Sequence, residues 1–335
     1  FLMIRRPPRS TPLYSPAAPD VYKRQGLPLA GGHQQLAAHD RKRIHVLSLK
    51  FSVSSLNQRS AIAFVLVGAV TFATAADSSL KKSLTFHASY DSGTDADLAK
   101  GDKRLFTLVE KKPKAGNHTG DLTRLAKGKG LSGGALLFTQ RNAKWLLYDG
   151  ANNFHFAEKN WSGTVSFWLK VDPINELDPG YVDPIQITPN TWNAASFFVD
   201  FNKDGNPRAF RLGAFADKPV WNPTNKNVPE PERPLVPAKS TPFSRDKWTH
   251  VAFTWDRFNT GKYDGGATLN LNGKNEGSIT GWNQQFSWSG KQHRIMIGLN
   301  YMGLFDDLAC FNRALTASEI KRIPAHQAGL ATLLK

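Results

Sequence analysis

The sequence predicts an all-β fold in which short strands alternate with turns. Its apolar segments are short, and turn-forming residues separate them, with 27 glycines and 20 prolines in a chain of 335 residues. The alternation is clearest over GTVSFWLKV, residues 163–171, where Val165, Phe167 and Leu169 share one face. Because 40% of the residues are hydrophobic, these strands can bury a core, and the dense turns favour strands over helices.

Strand-like segments recur along the chain. Residues 83–91 (SLTFHASYD) form the first predicted strand, and the charged, Gly-rich residues 92–130 are predicted to form loops or a weak edge. The later predicted strands are residues 134–140, 144–150, 154–158, 163–171, 193–202, 207–216, 247–258, 266–278, 293–300 and 303–311. Because proline cannot donate to a strand ladder, we expect the Pro-rich segments 172–192 and 218–246 to be insertions outside this scaffold.

Three local signals fix how the strands are joined and how the fold ends. Asn272-Gly273 is the strongest two-residue hairpin signal, because both positions need a positive φ. A turn around Lys203–Gly205 is predicted to join residues 193–202 and 207–216 in a second hairpin. Thr316, followed three residues later by Glu319, has the spacing of a capping box, which predicts a short C-terminal helix.

The first 58 residues do not resemble a folded domain. FLMIRRPPRSTPLYS and DVYKRQ, within residues 1–25, closely resemble translated sequencing-adapter DNA; the alternative is a basic, Pro-rich disordered tail. Residues 26–58 show little pattern and are assigned to an uncertain or disordered upstream segment. We therefore leave residues 1–58 out of the prediction of the fold.

Residues 59–75 have the pattern of a secretory signal peptide. Arg59 supplies the positive start, residues 61–72 are uncharged and largely apolar, and Ala73-Thr74-Ala75 has the small-x-small pattern of a cleavage site. The apolar run is shorter than the ~20 residues that span a bilayer. We expect cleavage after Ala75 and a single exported domain over residues 76–335, secreted or in the cell envelope, with no transmembrane anchor after cleavage.

The net charge of +16 is divided between two parts of the chain. Residues 1–75 hold ten Lys/Arg and two Asp/Glu, so half of the excess lies in the segment that we expect to be removed. The remaining +8 is spread along residues 76–335, which is compatible with anionic partners but does not indicate nucleic acid. The single cysteine, Cys310, excludes an intramolecular disulfide and is predicted to be a buried thiol.

Five segments in order carry a family resemblance. GTVSFWLKV, KWTHVAFTWD, LNLNGK, IMIGLN and FDDLACFNRALTASEI, across residues 83–323, resemble the bacterial laminin-G-like, concanavalin A-like domains. The resemblance implies a jelly-roll sandwich of two antiparallel sheets, closed by the short C-terminal helix. It also implies that residues 83–91 and 303–311 are neighbouring strands.

Two carboxylates interrupt the last strand. Asp306 and Asp307 lie in a strand that otherwise buries apolar side chains, so they must be solvated, hydrogen-bonded or bound to metal. The resemblance implies a structural Ca²⁺ near these strand ends, with Asp91, Asp306 and Asp307 as candidate ligands. The alternative is that these acids accept hydrogen bonds from loop N–H groups or pair with Arg313.

Loop aromatics are the candidates for ligand binding. Apolar sugar faces stack on exposed rings, and Trp221, Trp282 and Trp288 lie in loop-like sequence. Asn283 and Gln285 add amides that suit hydroxyl groups. The alternative is that these rings cover the ends of the sandwich.

No catalytic motif was found in the sequence. It lacks the E-x-D-x-x-E strand, the G-x-S-x-G elbow, the H-E-x-x-H helix motif and the phosphate-binding loop. Together with the loop aromatics, the family resemblance implies a non-catalytic binding module whose ligand is a glycan or cell-surface polysaccharide. A cell-surface adhesion or structural protein with a protein partner is the alternative, followed by a polysaccharide-active enzyme.

Overall fold

The computed structural model describes residues 77–142, 144–189, 191–288, 293–326 and 329–331. The chain divides into two units, Phe1–Leu56 and Asn57–Lys335, and every described residue belongs to the second. The expected adapter-like segment 1–25, the upstream segment 26–58 and the signal peptide 59–75 lie outside the described residues.

Short antiparallel strands are the main regular structure of the described chain, as the sequence predicts. Their bounds are β1 Leu84–Ala88, β2 Leu98–Ala99, β3 Phe106–Val109, β4 Lys112–Ala115, β5 Thr123–Lys127, β6 Gly134–Phe138, β7 Leu146–Asp149, β8 Trp161–Lys170, β9 Val182–Thr188, β10 Ser196–Gly205, β11 Arg208–Phe215, β12 Leu235–Pro237, β13 Thr249–Phe258, β14 Gly265–Leu271, β15 Lys274–Trp282, β16 Arg294–Leu299 and β17 Gly303–Phe311.

Helices are short and lie outside the sheets. They are residues 77–83, the α-helices Lys218–Trp221 and Ala317–Arg322, and the 3₁₀ turns Gly120–Leu122, Glu230–Glu232 and Ile323–Ala325. Within the described part of the chain, no helix has the length and apolar character needed to cross a bilayer.

The strands form two antiparallel sheets, which confirms the predicted fold class. The first sheet has the order β15-β14-β13-β8-β17-β1-β2, with β6 beside β17 and β5 beside β6. The second has the order β12-β11-β10-β9-β16-β7-β3-β4. This is a two-layer sandwich in which the chain passes several times from one sheet to the other.

The last strand is central to the first sheet. On one side β17 pairs with β8, and on the other it pairs first with β6 and then with β1. The β1 register places Phe86 opposite Cys310 and His87 opposite Ala309. The predicted pairing of the first and last strands is therefore confirmed, and Cys310 is buried as predicted.

Aromatic side chains fill one end of the core between the sheets. Trp161 and Trp255 meet with ring centroids 5.2 Å apart, and Phe197 from the opposite sheet lies 4.8 Å from Trp255. All three are buried. A buried aromatic or aliphatic side chain contributes about 1.5–3 kcal/mol, so this cluster stabilises the contact between the sheets.

Residues 154–158, predicted as a strand, are not one. Asn152 and His155 have φ angles of 61° and 43°, which break an extended backbone. Phe154 nevertheless packs into the core, with its ring stacked 5.0 Å from that of Trp255. The segment is apolar because its loop covers the core, a pattern that single-sequence alternation does not separate from a strand.

A central strand lies within residues 172–192, where the sequence predicts an insertion. β9 pairs with β10 on one side and with β16 on the other. Between the pairs Val199–Ile185 and Phe201–Val182, β9 has one residue more than β10, which is a β-bulge. Pro184 lies in this bulge, where a backbone N–H is not needed, so a proline is tolerated in a central strand.

The predicted turns and the second Pro-rich segment agree with the structure. Asn272 and Gly273 have φ angles of 50° and 76° and connect β14 to β15. β10 and β11 form the second hairpin, although its turn lies at Asn206-Pro207, just after the predicted position. Within residues 218–246 the only described strand is β12, at an edge of the second sheet.

The C-terminal helix begins at the predicted capping box. The Thr316 hydroxyl accepts a hydrogen bond from the Glu319 N–H at 3.3 Å, and the Glu319 carboxylate accepts one from the Thr316 N–H at 2.9 Å. Arg313 holds the same carboxylate and helps to lower the pKa of Glu319 to about 2. Ile320 then packs against Leu315 and Phe311 in a small cluster beside β17.

We expect Thr316→Ala to lower the free energy of unfolding by about 0.5–2 kcal/mol, because it removes an N-cap acceptor. Urea unfolding measures the change. Thr316→Ser keeps the hydroxyl and should stay close to the wild type. An equal loss in both variants would mean that the methyl group, and not the cap, supplies the stability.

Candidate functional site

A groove lies on the outer face of the second sheet. β10 directs Phe197, Val199 and Phe201 into the core, so Phe198 and Asp200 point to the opposite face. The groove has a volume of about 510 Å³. It is lined by Leu108, Trp145, Tyr181, Asp183, Gln186, Thr188, Pro189, Thr191, Trp192, Phe198, Asp200, Arg211, Arg233, Leu235, Arg294, Met296, Leu299 and Asn300.

Strand register arranges the groove floor in rows. Gln186 of β9 lies between Phe198 of β10 and Met296 of β16. One step along the strands, Arg294 of β16 lies opposite Thr188 of β9. One row of the floor therefore has an apolar side chain on each side of Gln186, and the next row adds the polar side chains of Thr188 and Arg294.

Two exposed rings border the groove. The exposed fractions of Tyr181 and Trp192 are 42% and 43%, which is high for such large side chains. The Trp192 ring packs edge-on against Phe215 at a centroid distance of 5.6 Å, and the Arg211 guanidinium lies 5.2 Å from the Tyr181 ring centroid. Each ring is thus held in place and still offers a face to the groove.

An ion cluster fixes one end of the floor. The Arg211 guanidinium donates two hydrogen bonds to the Asp200 carboxylate, one of them at 2.9 Å, and a further ion pair joins it to Glu230 at 2.7 Å. Burial raises the pKa of Asp200, and the contacts with Arg211 oppose that shift. The Asp200 carboxylate is consequently engaged on both oxygens.

Asp183 differs from its neighbour Asp200. The β9 bulge brings Asp183 beside Asp200 on the outer face, and Leu299 lies opposite it on β16. Across the described residues, the Asp183 carboxyl makes neither a hydrogen bond nor an ion pair. Burial raises the pKa of Asp183 well above its ordinary value, and the nearby Asp200 charge adds to the shift.

Gln186 and Arg294 also point into the groove without side-chain partners among the described residues. The Gln186 side chain is 7% exposed overall, and its amide lines the groove. A polar ligand in the groove can therefore exchange hydrogen bonds with this amide. Together with Asp183, these side chains form a polar set directed at one space.

The tryptophans predicted from the sequence do not share an open platform. Trp288 is buried, with its indole N–H bonded to the Ala195 carbonyl at 2.8 Å, so its predicted role as an exposed ring is wrong. Trp221 is half-buried, packs edge-on against Phe215 at 5.0 Å and donates to the Asn193 carbonyl. These two rings pack on the protein itself, in agreement with the alternative that such rings cover the ends of the sandwich.

The other three predicted residues lie along the end of β15 and the segment after it. Trp282 is half-buried against the core. Gln285 accepts a hydrogen bond from the Asp217 N–H through its backbone carbonyl, and the buried amide oxygen of Asn283 has no partner in the described residues. None of the three lines the groove.

Asp306 and Asp307 lie where the neighbour of β17 changes from β6 to β1. β17 carries an extra residue here, and Asp307 has a φ of 51°. The Asp306 carboxylate accepts hydrogen bonds from the N–H groups of Leu131, at 2.7 Å, and Asp307, at 2.8 Å. Burial raises the pKa of Asp306 to about 8.

Asp307 and Asp91 are engaged in the same way. Asp307 contacts His87 Nε2 at 2.7 Å and accepts the Leu330 N–H at 2.9 Å. Asp91 accepts a backbone hydrogen bond from Gly134, while burial raises its pKa. These acids satisfy loop N–H groups, which is the alternative that the sequence left open, although Arg313 pairs with Glu319 instead.

The described residues do not bring the predicted calcium ligands together in a cluster of three. Among the described residues, no three His, Cys, Asp or Glu side chains converge as metal ligands. The loop before β6 packs tightly on these carboxylates: a Cβ at Gly133 would lie 2.6 Å from an Asp91 oxygen, and one at Gly130 would lie 2.9 Å from an Asp306 oxygen. The glycines therefore let the loop backbone approach these carboxylates closely, and no larger side chain would fit at either position.

A laminin G family model, described as the concanavalin A-like lectin/glucanases superfamily, matches residues 148–321. That is about half of the chain. The chain belongs to this superfamily. The matched residues include β8 to β17, and so contain most of the groove of this concanavalin A-like domain. No curated protein sequence matches the chain.

Three solved structures are similar to this chain over part of its length. Domain 4 of AbnA, an extracellular arabinanase from Geobacillus stearothermophilus solved with arabinotriose, is 19% identical, with 71% of this chain and 97% of that chain covered and a TM-score of 0.45. The binding domain of Paraclostridial Mosquitocidal Protein 1 is 16% identical, with 73% and 52% covered and a TM-score of 0.48. The binding domain of Botulinum Neurotoxin DC, in complex with SialylT, is 11% identical, with 67% and 51% covered and a TM-score of 0.40. The chain spans about half the length of these two toxin binding domains.

Sequence reasoning missed the groove of this concanavalin A-like domain because two of its elements looked like an insertion. Asp183 and Gln186 belong to β9, and Trp192 follows it; all three lie within the Pro-rich segment 172–192. The signal was present in the sequence: VDPIQIT places Ile185 and Ile187 on one face and Gln186 on the other, as in a strand.

Because their carboxylates are engaged by backbone N–H groups, Asp91, Asp306 and Asp307 are not expected to bind Ca²⁺. Adding Ca²⁺ to the EGTA-treated domain should leave the Tm unchanged, measured by differential scanning fluorimetry, and calorimetric titration should give no binding heat. A Tm gain of several degrees, abolished by Asp306→Asn, would restore the calcium prediction.

Proposed function

We propose that this chain is a carbohydrate-binding module whose ligand lies in the groove on the outer face of the second sheet. One observation carries the proposal: the exposed rings of Tyr181 and Trp192 border a space into which the unpartnered side chains of Gln186 and Arg294 point. Membership of the concanavalin A-like lectin/glucanases superfamily supports a lectin-like role.

The groove matches the chemistry of a sugar chain. The apolar face of a pyranose or furanose ring stacks on an aromatic ring, here Trp192 or Tyr181. Sugar hydroxyl groups both donate and accept, and the Gln186 amide does the same, while the Arg294 guanidinium donates only. A few fixed polar groups beside apolar surface are the usual basis of orientation and specificity in such sites.

The proposed role is binding without catalysis. A glycosidase needs one carboxylate free to act as base or nucleophile beside a second that donates a proton. Asp183 and Asp200 are adjacent, but both oxygens of Asp200 are held by Arg211. This engagement supports a recognition role for the pair rather than attack on a glycosidic bond.

The proposed module acts outside the cytoplasm, as a secreted or cell-envelope protein. Support comes from the sequence alone, in the positive start, apolar run and Ala73-Thr74-Ala75 pattern of residues 59–75. An exported location gives the groove access to extracellular or cell-surface polysaccharides.

Replacing either bordering ring should weaken sugar binding, because the stacking surface is lost. We expect Trp192→Ala and Tyr181→Ala each to raise the Kd for a bound polysaccharide about tenfold or more, equivalent to about 1.4 kcal/mol. A panel of immobilised neutral and acidic polysaccharides identifies the glycan, and biolayer interferometry measures the loss.

Tyr263 provides the matched control, since it is 74% exposed in the loop between β13 and β14, away from the groove. Tyr263→Ala should bind like the wild type. If Trp282→Ala weakens binding and Trp192→Ala does not, the site predicted from the sequence replaces the groove. A blank panel together with a specific protein partner would favour the adhesion role.

Export can be tested separately from binding. A chain that begins at Arg59 behind an initiator methionine should reach the periplasm of a bacterial host, and the N-terminal residue of the exported protein should be Ala76. Leu66→Arg places a charge in the apolar run and should retain the protein in the cytoplasm with residues 59–75 still attached. Export of this variant with an intact leader would contradict the proposal.

A further inference from the structure

Asp183 occupies an unusual position in the groove. The one-residue bulge in β9 sets Asp183 and Pro184 against the single position of Asp200 on β10. Carboxyl groups at neighbouring positions on one face of a sheet lie within reach of each other's charge. In the described structure Asp200 has Arg211 as a partner, whereas Asp183 has none.

The charged groups next to Asp183 lie on its β10 and β11 side. On the β10 and β11 side, Asp200 stands next to Asp183, with Arg211 bound to Asp200 and Glu230 bound to the far side of Arg211. On the β16 side, Leu299 is apolar. No cation in the described residues contacts Asp183 directly.

Two further cations bind the loop that leads into β9. Arg208 donates to the carbonyls of Asp178 and Gly180 as well as to that of Asn202, and Arg141 donates to the Pro179 carbonyl and to the Asn300 side-chain oxygen. In the described part of the chain, neither guanidinium group donates to Asp183.

We propose that the Asp183 carboxyl is protonated in the groove and donates a hydrogen bond to an acceptor oxygen of the bound sugar chain. The inference rests on the proposed function, because it assigns the role of one side chain in that site. It names the atom class recognised: a ring or glycosidic oxygen, which can accept but cannot donate.

Two physical effects keep the proton on Asp183. Burial disfavours the charged form and the Asp200 carboxylate next to it adds repulsion; together they outweigh the opposing attraction of Arg211, so the pKa of Asp183 is raised. Asp200 gives up its proton more readily because Arg211 neutralises it through two hydrogen bonds. The pair therefore holds a neutral donor beside an ionised, already satisfied acceptor.

A donor at this point complements the rest of the groove. Arg294 donates only and Gln186 can do both, so together the three side chains offer the ligand more donors than acceptors. Oxygen-rich chains carry more acceptor sites than donors, since ring and linking oxygens have no hydrogen. An ionised Asp183 would instead repel those oxygens.

The first arm of the test needs no ligand. Carboxyl ¹³C NMR titration of the whole domain follows each aspartate, and the resonance that is missing in Asp183→Asn belongs to Asp183. Its midpoint should lie above the ordinary value of about 3.9 for aspartate. A midpoint at or below that value overturns the inference.

The second arm uses arabinan, xyloglucan, galactan and mixed-linkage β-glucan, each measured at pH 5 and pH 8. Above the Asp183 pKa, each unit of pH lowers the protonated fraction about tenfold, so wild-type affinity should fall as pH rises. Asp183→Asn keeps a donor and cannot ionise, so it should remove the pH dependence. Asp183→Leu lacks the donor and should bind at least tenfold more weakly at pH 5.

Asp204→Asn is the matched control, because Asp204 is an exposed aspartate at the far end of the β10–β11 hairpin. It should keep the wild-type pH dependence. Wild-type affinity that rises with pH, or Asp183→Asn that loses binding as fully as Asp183→Leu, overturns the inference. If none of the four polysaccharides binds at either pH, both the proposed function and the proposed hydrogen bond to the sugar are contradicted. The NMR midpoint then still decides whether Asp183 is protonated.

Discussion

Pairing between the last strand and strands far away in sequence is the constraint on which the structure depends. β17 lies between β8 on one side and β6 and β1 on the other, so residues near 86 and 310 become neighbours. Such long-range pairing fixes which face of β8 and β13 meets the second sheet. The aromatic core follows from that choice, because Trp161, Trp255 and Phe197 can meet only when both inner faces are set.

The side chains on the outer face of the second sheet are not needed for the core, because the inner face supplies the apolar contacts. Alternation gives β9 and β10 their inward Ile185, Ile187, Phe197 and Val199, and leaves the opposite positions available for function. A bulge costs one ladder contact, yet it re-aims a side chain without disturbing the core on either side. Pro184 favours the bulge over a regular strand, because proline has no backbone N–H to donate to the ladder.

Sequence reasoning succeeded where one local rule decides the structure. The Thr316–Glu319 capping box, the Asn272-Gly273 turn and the alternation of β8 each depend on a few adjacent residues. It failed where distant packing decides. The loop around Phe154 looks like a strand because it covers the core, and Pro184 looks like a strand breaker because the bulge that accepts it is set by β10. The groove depends on that strand, so its residues could not be placed together from the sequence.

The two acidic sites show why burial of a carboxyl does not by itself indicate a ligand site. Asp306 and Asp307 are more deeply buried, but backbone N–H groups and His87 satisfy them, as a structural role requires. Asp183 is placed among groups that could have paired with it, and Arg211 pairs with Asp200 instead. A polar side chain without a protein partner remains available to a molecule bound in the groove. The carboxyl groups of the scaffold have protein hydrogen-bond partners, whereas Asp183 in the groove has none in the described residues. This difference, and not the number of acids, distinguishes the two sites.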